Sequence, residues 1–509
     1  MLEACRRVVG LPILIIAGSF IAYAFLGPYM PGFLNHRGYS FRRIVGHLYY
    51  TTEGIMGLPL GVSSTFIFLF ILFGVFLEKT GIGKFFIDIA NAIAGFSAGG
   101  PAKVAVISSA MMGTISGSSV SNTVGTGSFT IPLMKKLGYR PEFAGAVEAT
   151  ASTGGQLMPP IMGAAAFLMA ETLGIPYLEV AKAAIIPAVL YFSGVFIMVH
   201  LEAKKLGLKG EPRDQLPRIG RVLREQGHLI LPLITILYFL IQGFTPMKAA
   251  LYGIVTSVLA GMIRKSTRMR PRDFLDALET AGRTILGVAI ACATAGIIIG
   301  IVTLTGLGLK MASGLVALAG GMKLPTLFFT MLASLVLGMG VPTTANYLIT
   351  STITAPAVVQ LGVPMLAAHL FAFYFGIIAD ITPPVALAAY AGSAIAKSNP
   401  FKTGVTASRI AIAAFIIPYI FALNPVMVLI GATPLKVVQI LLTSSAGMLG
   451  IGAAMEGYFL GRTKPWERVF YLAGGLLLIH PALTTDVGGI LCIGFVLISQ
   501  LLRKKASPA

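Results

Sequence analysis

The chain is short of charge. Of its 509 residues only 11% are Asp, Glu, Lys or Arg, against about 25% in an ordinary soluble domain. Acidic residues are the scarcer sign, 19 against 38 basic ones, for a formal net charge of +19. With 56% hydrophobic residues and a mean hydropathy of +0.86, a soluble globule of this size could not hide its apolar surface, because much of any globule stays exposed. A soluble enzyme, a nucleic-acid-binding domain and a disordered chain are therefore excluded. The basic excess fits cytoplasmic loops of a membrane protein, not a nucleic-acid partner. Cysteine is rare as well. Cys5, Cys292 and Cys492 lie far apart and offer neither a disulfide framework nor metal-ligand spacing. The six histidines are scattered. There is no GxxxxGK(S/T) phosphate loop, and no nucleophile–base pair or metal cluster falls at one depth, so a membrane-embedded enzyme is not indicated.

What is plentiful is long apolar runs. Arg6 and Arg7 precede Val8–Gly27, a run longer than the roughly 7–15 residue core of a signal peptide and long enough to stay as a span. Residues 42–50 are basic, aromatic and too polar to cross, and read as an interfacial helix. Further spans are expected at 59–77, 177–200, 229–245, 248–263, 284–305, 403–422 and 436–460. The tail 469–502 reads as two short spans turning near His480–Asp486. The fold class is an all-α polytopic membrane protein.

Two apolar stretches are broken by small polar residues. Residues 101–139 carry GTISGSSVSNTVGTGS and residues 323–363 carry GMGVPTTAN. Such sequences destabilise a lipid-facing helix and survive at membrane depth only where protein or water covers them. Both read as re-entrant helical hairpins. Each is followed by a long apolar segment, 141–172 and 365–397, interrupted by STGGQLMPP (152–160) and ADITPP (379–384). These read as spans with unwound centres.

The two regions align without gaps at an offset of 224 residues. Pro101, Pro132, Pro159, Pro160 and Pro176 pair with Pro325, Pro356, Pro383, Pro384 and Pro400, and Asn122 pairs with Asn346. Between the copies lie spans at 59–77, 141–172, 177–200, 229–245 and 248–263, five in all. An odd count inverts the second copy, and inverted repeats with broken helices mark a secondary transporter. The organisation expected is an N-terminal span and interfacial helix (1–57), a first repeat (58–203), a basic loop with two connecting spans (204–270), a second repeat (271–423) and extra C-terminal spans (424–509). The basic loops 204–227 and 264–272 belong in the cytoplasm, which places both chain termini there. Arg37, Arg42 and Arg43 are the exceptions to this count.

The hairpin tips supply the candidate site. Ser116, Gly117, Ser118, Ser119 and Asn122 face Gly338, Gly340, Thr343, Thr344 and Asn346. Hydroxyls, amides and open backbone suit a hard cation such as Na⁺, and half-helix N-termini suit an anion. Ser119, Asn122, Thr343 and Asn346 are the substrate-contact candidates. The plainer alternative is that small residues simply allow close helix packing. Neither tip holds Lys or Arg. Asp380 is either a cation ligand or coupling carboxylate, or a cap for a half-helix beginning at Pro383. Glu148 is expected nearer the cytoplasmic surface, His369 in a structural role, and Arg283 at the cytoplasmic end of its span.

Residues 113–167, 338–348 and 378–396 carry a family resemblance. The chain resembles the large membrane subunit of tripartite ATP-independent periplasmic (TRAP) transporters, most closely the fused-permease form that works with TAXI-type binding proteins. The likeness covers about 30–425, and residues 425–509 resemble the variable extension of such permeases. It implies an elevator-type secondary transporter of the bacterial or archaeal inner membrane. It implies Na⁺-driven uptake of a small organic anion delivered by a periplasmic TAXI-type protein, with Na⁺ as coupling ion and no other cofactor. It also implies cations around Ser116–Asn122 with Ser152, Thr153, Gly154 and Gly155, and around Gly338–Asn346 with Ala379, Asp380 and Thr382. Fused permeases begin with further spans equivalent to a small membrane subunit, whereas one span precedes the interfacial helix here, so a separate small subunit is expected. A stand-alone Na⁺–dicarboxylate symporter or an antiporter with related hairpin repeats is the competing reading.

Overall fold

The structure, a computed structural model, describes residues 1–479 and 483–506. Gly10, at φ 113°, separates α1 (Leu2–Val8) from α2 (Leu11–Leu26). The interfacial segment forms α3 (Phe41–Tyr50), where Ile44 and Leu48, one turn apart, are buried and Ser40 Oγ accepts from Arg43 N. The first repeat opens with α4 (Leu58–Val62) and α5 (Phe68–Lys79), joined through a π turn at Ser63–Ile67 into one span, followed by α6 (Ile82–Ala94). Helices α7 (Gly100–Ser116) and α8 (Ser119–Leu137) form a tight hairpin, and α9 (Pro141–Gly155) and α10 (Ala164–Leu173) a broken helix. α11 (Tyr177–Lys205) runs unbroken.

The middle of the chain holds α12 (Ile219–Gln226), α13 (Leu231–Ile241), α14 (Pro246–Met262) and α15 (Pro271–Thr305). Two expectations change here. The 229–245 segment begins as a 3₁₀ turn (Gly227–Ile230), because Pro232 sits in the first turn of α13, which has only 11 residues. The 284–305 span is the end of a 35-residue helix about 52 Å long at 1.5 Å per residue. That exceeds a bilayer core of about 30 Å, so the charged start of α15 stands outside it, including Arg283, paired with Glu279 at 2.8 Å.

The second repeat follows the same order: α16 (Leu307–Leu318), the hairpin α17 (Lys323–Gly338) and α18 (Thr343–Gln360), and the broken helix α19 (Met365–Ile378) and α20 (Leu387–Ala396). Helices α21 (Pro400–Ile410) and α22 (Ile412–Leu423) are bent by 41°. The C-terminal helices are α23 (Pro434–Glu456), α24 (Pro465–Ile479) and α25 (Leu483–Ala506), with α23 packed on α11. Of the expected turn at His480–Asp486, residues 480–482 lie outside the described residues, and 483–486 already belong to the first turn of α25. Among the described residues six helices are long and apolar enough to cross a membrane, or seven if the bent pair is one span.

The repeats interlock. α8 and α9 of the first pack against α20 of the second, while α18 and α19 of the second pack against α10 of the first. Gly145 and Gly392 let α9 and α20 touch backbone to backbone: a Cβ on Gly392 would lie 2.6 Å from the Gly145 carbonyl oxygen. The broken-helix segments α9 and α19 are buried along almost their whole length, whereas the hairpin helices α8 and α17 each keep an exposed face.

Candidate functional site

Each tip is set by local chain chemistry. In the first, Gly117 takes a left-handed turn (φ 59°) at the end of α7, and Ser118 caps α8 by accepting from Ser121 N at 3.3 Å. A Cβ on Gly117 would lie 2.4 Å from Gly163 Cα, so glycine is what lets the tip reach the break between α9 and α10. In the second, Gly340 turns the chain (φ 70°) before Pro342 leads into α18. The breaks span 156–163 and 379–386, and each contains a cis Pro-Pro bond.

A cavity of about 460 Å³ lies where these parts meet. Ser116–Ser121 and Gly340–Thr344 line it with Gly163 and Asp380, and Glu78 of α5 and Thr280 and Thr284 of α15 also contribute to the lining. No Lys or Arg contributes to the lining. The two tips and Asp380 are therefore brought together. Asn122 and Asn346 are not in the lining but buried behind the tips. Asn122 Nδ2 donates to the Ser109 carbonyl (3.0 Å), and Asn346 Nδ2 to the carbonyls of Gly338 (3.2 Å) and Gly376 (2.8 Å).

Ser152, Thr153, Gly154 and Gly155 do not lie in an unwound centre. They form the last turn of α9, and unwinding starts at Gln156. The helix persists because close packing suits small residues: Gly113 of α7 abuts Gly155, and the Tyr191 ring abuts Gly154. Ala379, Asp380 and Thr382 do lie in the second break, with the Thr382 hydroxyl spent on the Ile378 carbonyl (2.9 Å).

Asp380 does not cap a helix at Pro383, since α20 starts only at Leu387 and has no side-chain cap. Its carboxylate instead crosses between repeats, accepting from Ser119 Oγ at 2.7 Å and from Gln156 Nε2 at 3.4 Å. Glu148 is not near a surface. It is fully buried and accepts from Ser109 Oγ (2.5 Å), Thr126 Oγ1, Thr130 Oγ1 and Ser152 Oγ (3.3 Å). His369 Nδ1 shares a hydrogen bond with Tyr347 Oη at 2.8 Å. Gln156 escaped the sequence reading although the 224-residue offset pairs it with Asp380. Thr126 and Thr130 pair with Thr350 and Thr354 in the 224-residue register but do not read as site residues, and neither does Ser109, because their meeting at Glu148 depends on how α7, α8 and α9 pack.

Four buried oxygens at this site have no hydrogen-bond partner: Ser116 Oγ, Thr153 Oγ1, Gln156 Oε1 and Asn346 Oδ1. Buried polar atoms are nearly always satisfied, so such a group is where an ion or water is to be sought.

Residues 1–435 match the family model described as the tripartite ATP-independent periplasmic transporter, DctM component. The chain belongs to this family. It is a TRAP large permease subunit, a multi-pass inner-membrane transport protein and not an enzyme, of a type that works with a periplasmic substrate-binding protein and a small membrane subunit. The chain is 26% identical over 330 residues to the C4-dicarboxylate TRAP transporter large permease DctM of Pseudomonas aeruginosa (64% of this chain, 76% of that protein). It is 24% identical over 335 residues to the sialic acid permease SiaM of Vibrio cholerae (66% and 77%). It is 24% identical over 332 residues to the isethionate permease DctMQ of Oleidesulfovibrio alaskensis (65% and 52%). Among solved structures, the Alcanivorax borkumensis YdaH transporter shares the fold, at a TM-score of 0.50 and 16% identity, covering 81% of this chain and 98% of that one.

Proposed function

We propose that this TRAP permease imports a small organic anion, a carboxylate, by Na⁺ symport, receiving it from a TAXI-type binding protein and moving it by an elevator displacement of the two hairpins and broken helices. The observation that carries the coupling is the set of unpartnered buried oxygens beside the cavity, Ser116, Thr153, Gln156 and Asn346. All are neutral oxygen donors of the kind a hard cation takes. Ser116–Asn122 with Ser152–Gly155, and Gly338–Asn346 with Ala379–Thr382, would hold these ions. The cavity lacks a basic clamp, so bound cations, tip hydroxyls and helix N-termini would balance the substrate charge.

The relatives named above handle C4-dicarboxylates, sialic acid and isethionate, which supports an organic acid here. Both termini are assigned to the cytoplasm, with the hairpins opening to opposite faces. Reconstitution in liposomes with the binding protein and small subunit tests this. Uptake of an organic acid should require an inward Na⁺ gradient. Full uptake without Na⁺ would overturn the proposal.

A further inference from the structure

Glu148 lies in the middle of α9, with α7, α8, α11, α20 and α21 packed around that helix. Four hydroxyls meet its carboxylate, Ser109, Thr126 and Ser152 at Oε1 and Thr130 at Oε2. Each hydroxyl has one proton. Thr126 has the Asn122 carbonyl at 2.8 Å and Thr130 the Thr126 carbonyl at 3.2 Å, the i−4 acceptors that helical threonines ordinarily use. Ser109 and Thr126 also approach each other at 3.0 Å. The oxygen pairs to be bridged therefore outnumber the protons available. Where a threonine proton serves its own helix, a lone pair is left facing the carboxylate, and the cluster needs a positive charge beside it, a bound cation or a carboxyl proton.

No basic side chain supplies that charge. Lys103 of α7 reaches Ser97, Lys135 of α8 the Ala396 carbonyl, Lys205 of α11 the carboxylates of Glu202 and Glu456, and Arg409 of α21 Glu456. An unpaired carboxylate in a dry interior is costly.

We propose that Glu148, Ser109, Thr126, Thr130 and Ser152 form a Na⁺ site inside the first repeat, deeper than the tip oxygens and sharing only Ser152 with them. The inference rests on the Na⁺-symport reading. All donors are oxygens, which selects a hard cation. A single carboxylate is neutralised by a monovalent ion, whereas a divalent one would leave a net charge in a low-dielectric interior. The site is asymmetric: the 224-residue offset places Ala372 opposite Glu148. The acid of the second repeat, Asp380, sits instead at its break, and Ser119, two turns before Thr126 on α8, touches it.

The test is equilibrium binding of radioactive sodium to the purified chain. Glu148→Gln should bind one Na⁺ fewer per chain at saturation than wild type. Thr130→Val should weaken that site about tenfold, on the scale of one interaction with a charged group, while Thr130→Ser retains it. If Glu148→Gln fails to fold, the Thr130 pair decides. An unchanged number of bound ions in Glu148→Gln, or equal binding by both Thr130 variants, overturns the site but leaves Na⁺ symport standing. A protonated-carboxyl infrared band that persists in saturating NaCl and vanishes in Glu148→Gln also overturns it, because a proton then takes the ion's place. Absence of all Na⁺ binding by wild type overturns both readings.

Discussion

Gln156 Nε2 donates to Asp380 Oδ2 at 3.4 Å, and the two residues hold the same position in the two repeats, 224 residues apart. Equivalent residues that touch lie beside the axis relating their repeats, as in a self-complementary two-fold contact. The two unwound segments therefore meet near that axis. The pair is chemically unequal, since one copy carries an amide and the other a carboxylate. Ser119 adds a second donor on the acid side only.

Asp380→Asn should lower uptake about tenfold or more, because hydrogen bonds to a charged group contribute about 1.5–3 kcal/mol. Uptake in liposomes, normalised to protein incorporated, reads this. The Na⁺ concentration for half-maximal rate should rise as well. Wild-type uptake with unshifted Na⁺ dependence would remove Asp380 from the mechanism.

Asn122→Ala and Asn346→Ala should each reduce transport more than membrane abundance. Each frees a buried carbonyl, at about 1–3 kcal/mol for an unsatisfied group. The Asn346 variant should be the worse, because its amide serves two carbonyls and its Oδ1 is free to meet an ion. Normal uptake by both would break the paired-tip reading.

The repeats should face opposite sides of the membrane. In a background with Cys5, Cys292 and Cys492 replaced, a cysteine at the exposed Lys136 should react with an impermeant reagent only from the cytoplasm. One at the exposed Met322 should react only from outside. The shortness of α13 does not alter this expectation. α13 and α14 pack as a pair, and a pair that enters and returns leaves the parity of the count unchanged. Labelling of both from one face would make the repeats parallel.

Gly113→Ala should destabilise the protein by about 1–3 kcal/mol, the usual cost of overpacking. Its Cβ would lie 2.1 Å from Gly155 Cα, and backbone cannot move aside as a flexible side chain can. A lowered thermal midpoint in detergent is the readout. An unchanged midpoint would show that α7 and α9 separate readily.

Much of the architecture was legible in the residues. The interruptions GSSVSN and GVPTTAN mark where the hairpin helices end, because a run of Gly, Ser, Thr and Pro cannot continue a helix cheaply. The Pro-Pro pairs mark the breaks. Boundaries were less legible where packing overrides propensity. Ser152–Gly155 looked like unwound chain, yet they stay helical because α7 and Tyr191 press against them.

Composition alone determined that the chain lives in a membrane, since apolar area on this scale has no other stable solvent, and the offset of matching prolines determined that it is built twice. Which polar groups form a site was decided only by tertiary structure. Glu148 and Thr130 are 18 residues apart and Ser119 and Asp380 are 261 apart. Nothing local in either sequence neighbourhood names the partner. The cost of burying a carboxylate is a property of the packed interior, and only the packing of helices, within the first repeat for Glu148 and between the repeats for Asp380, shows what surrounds it.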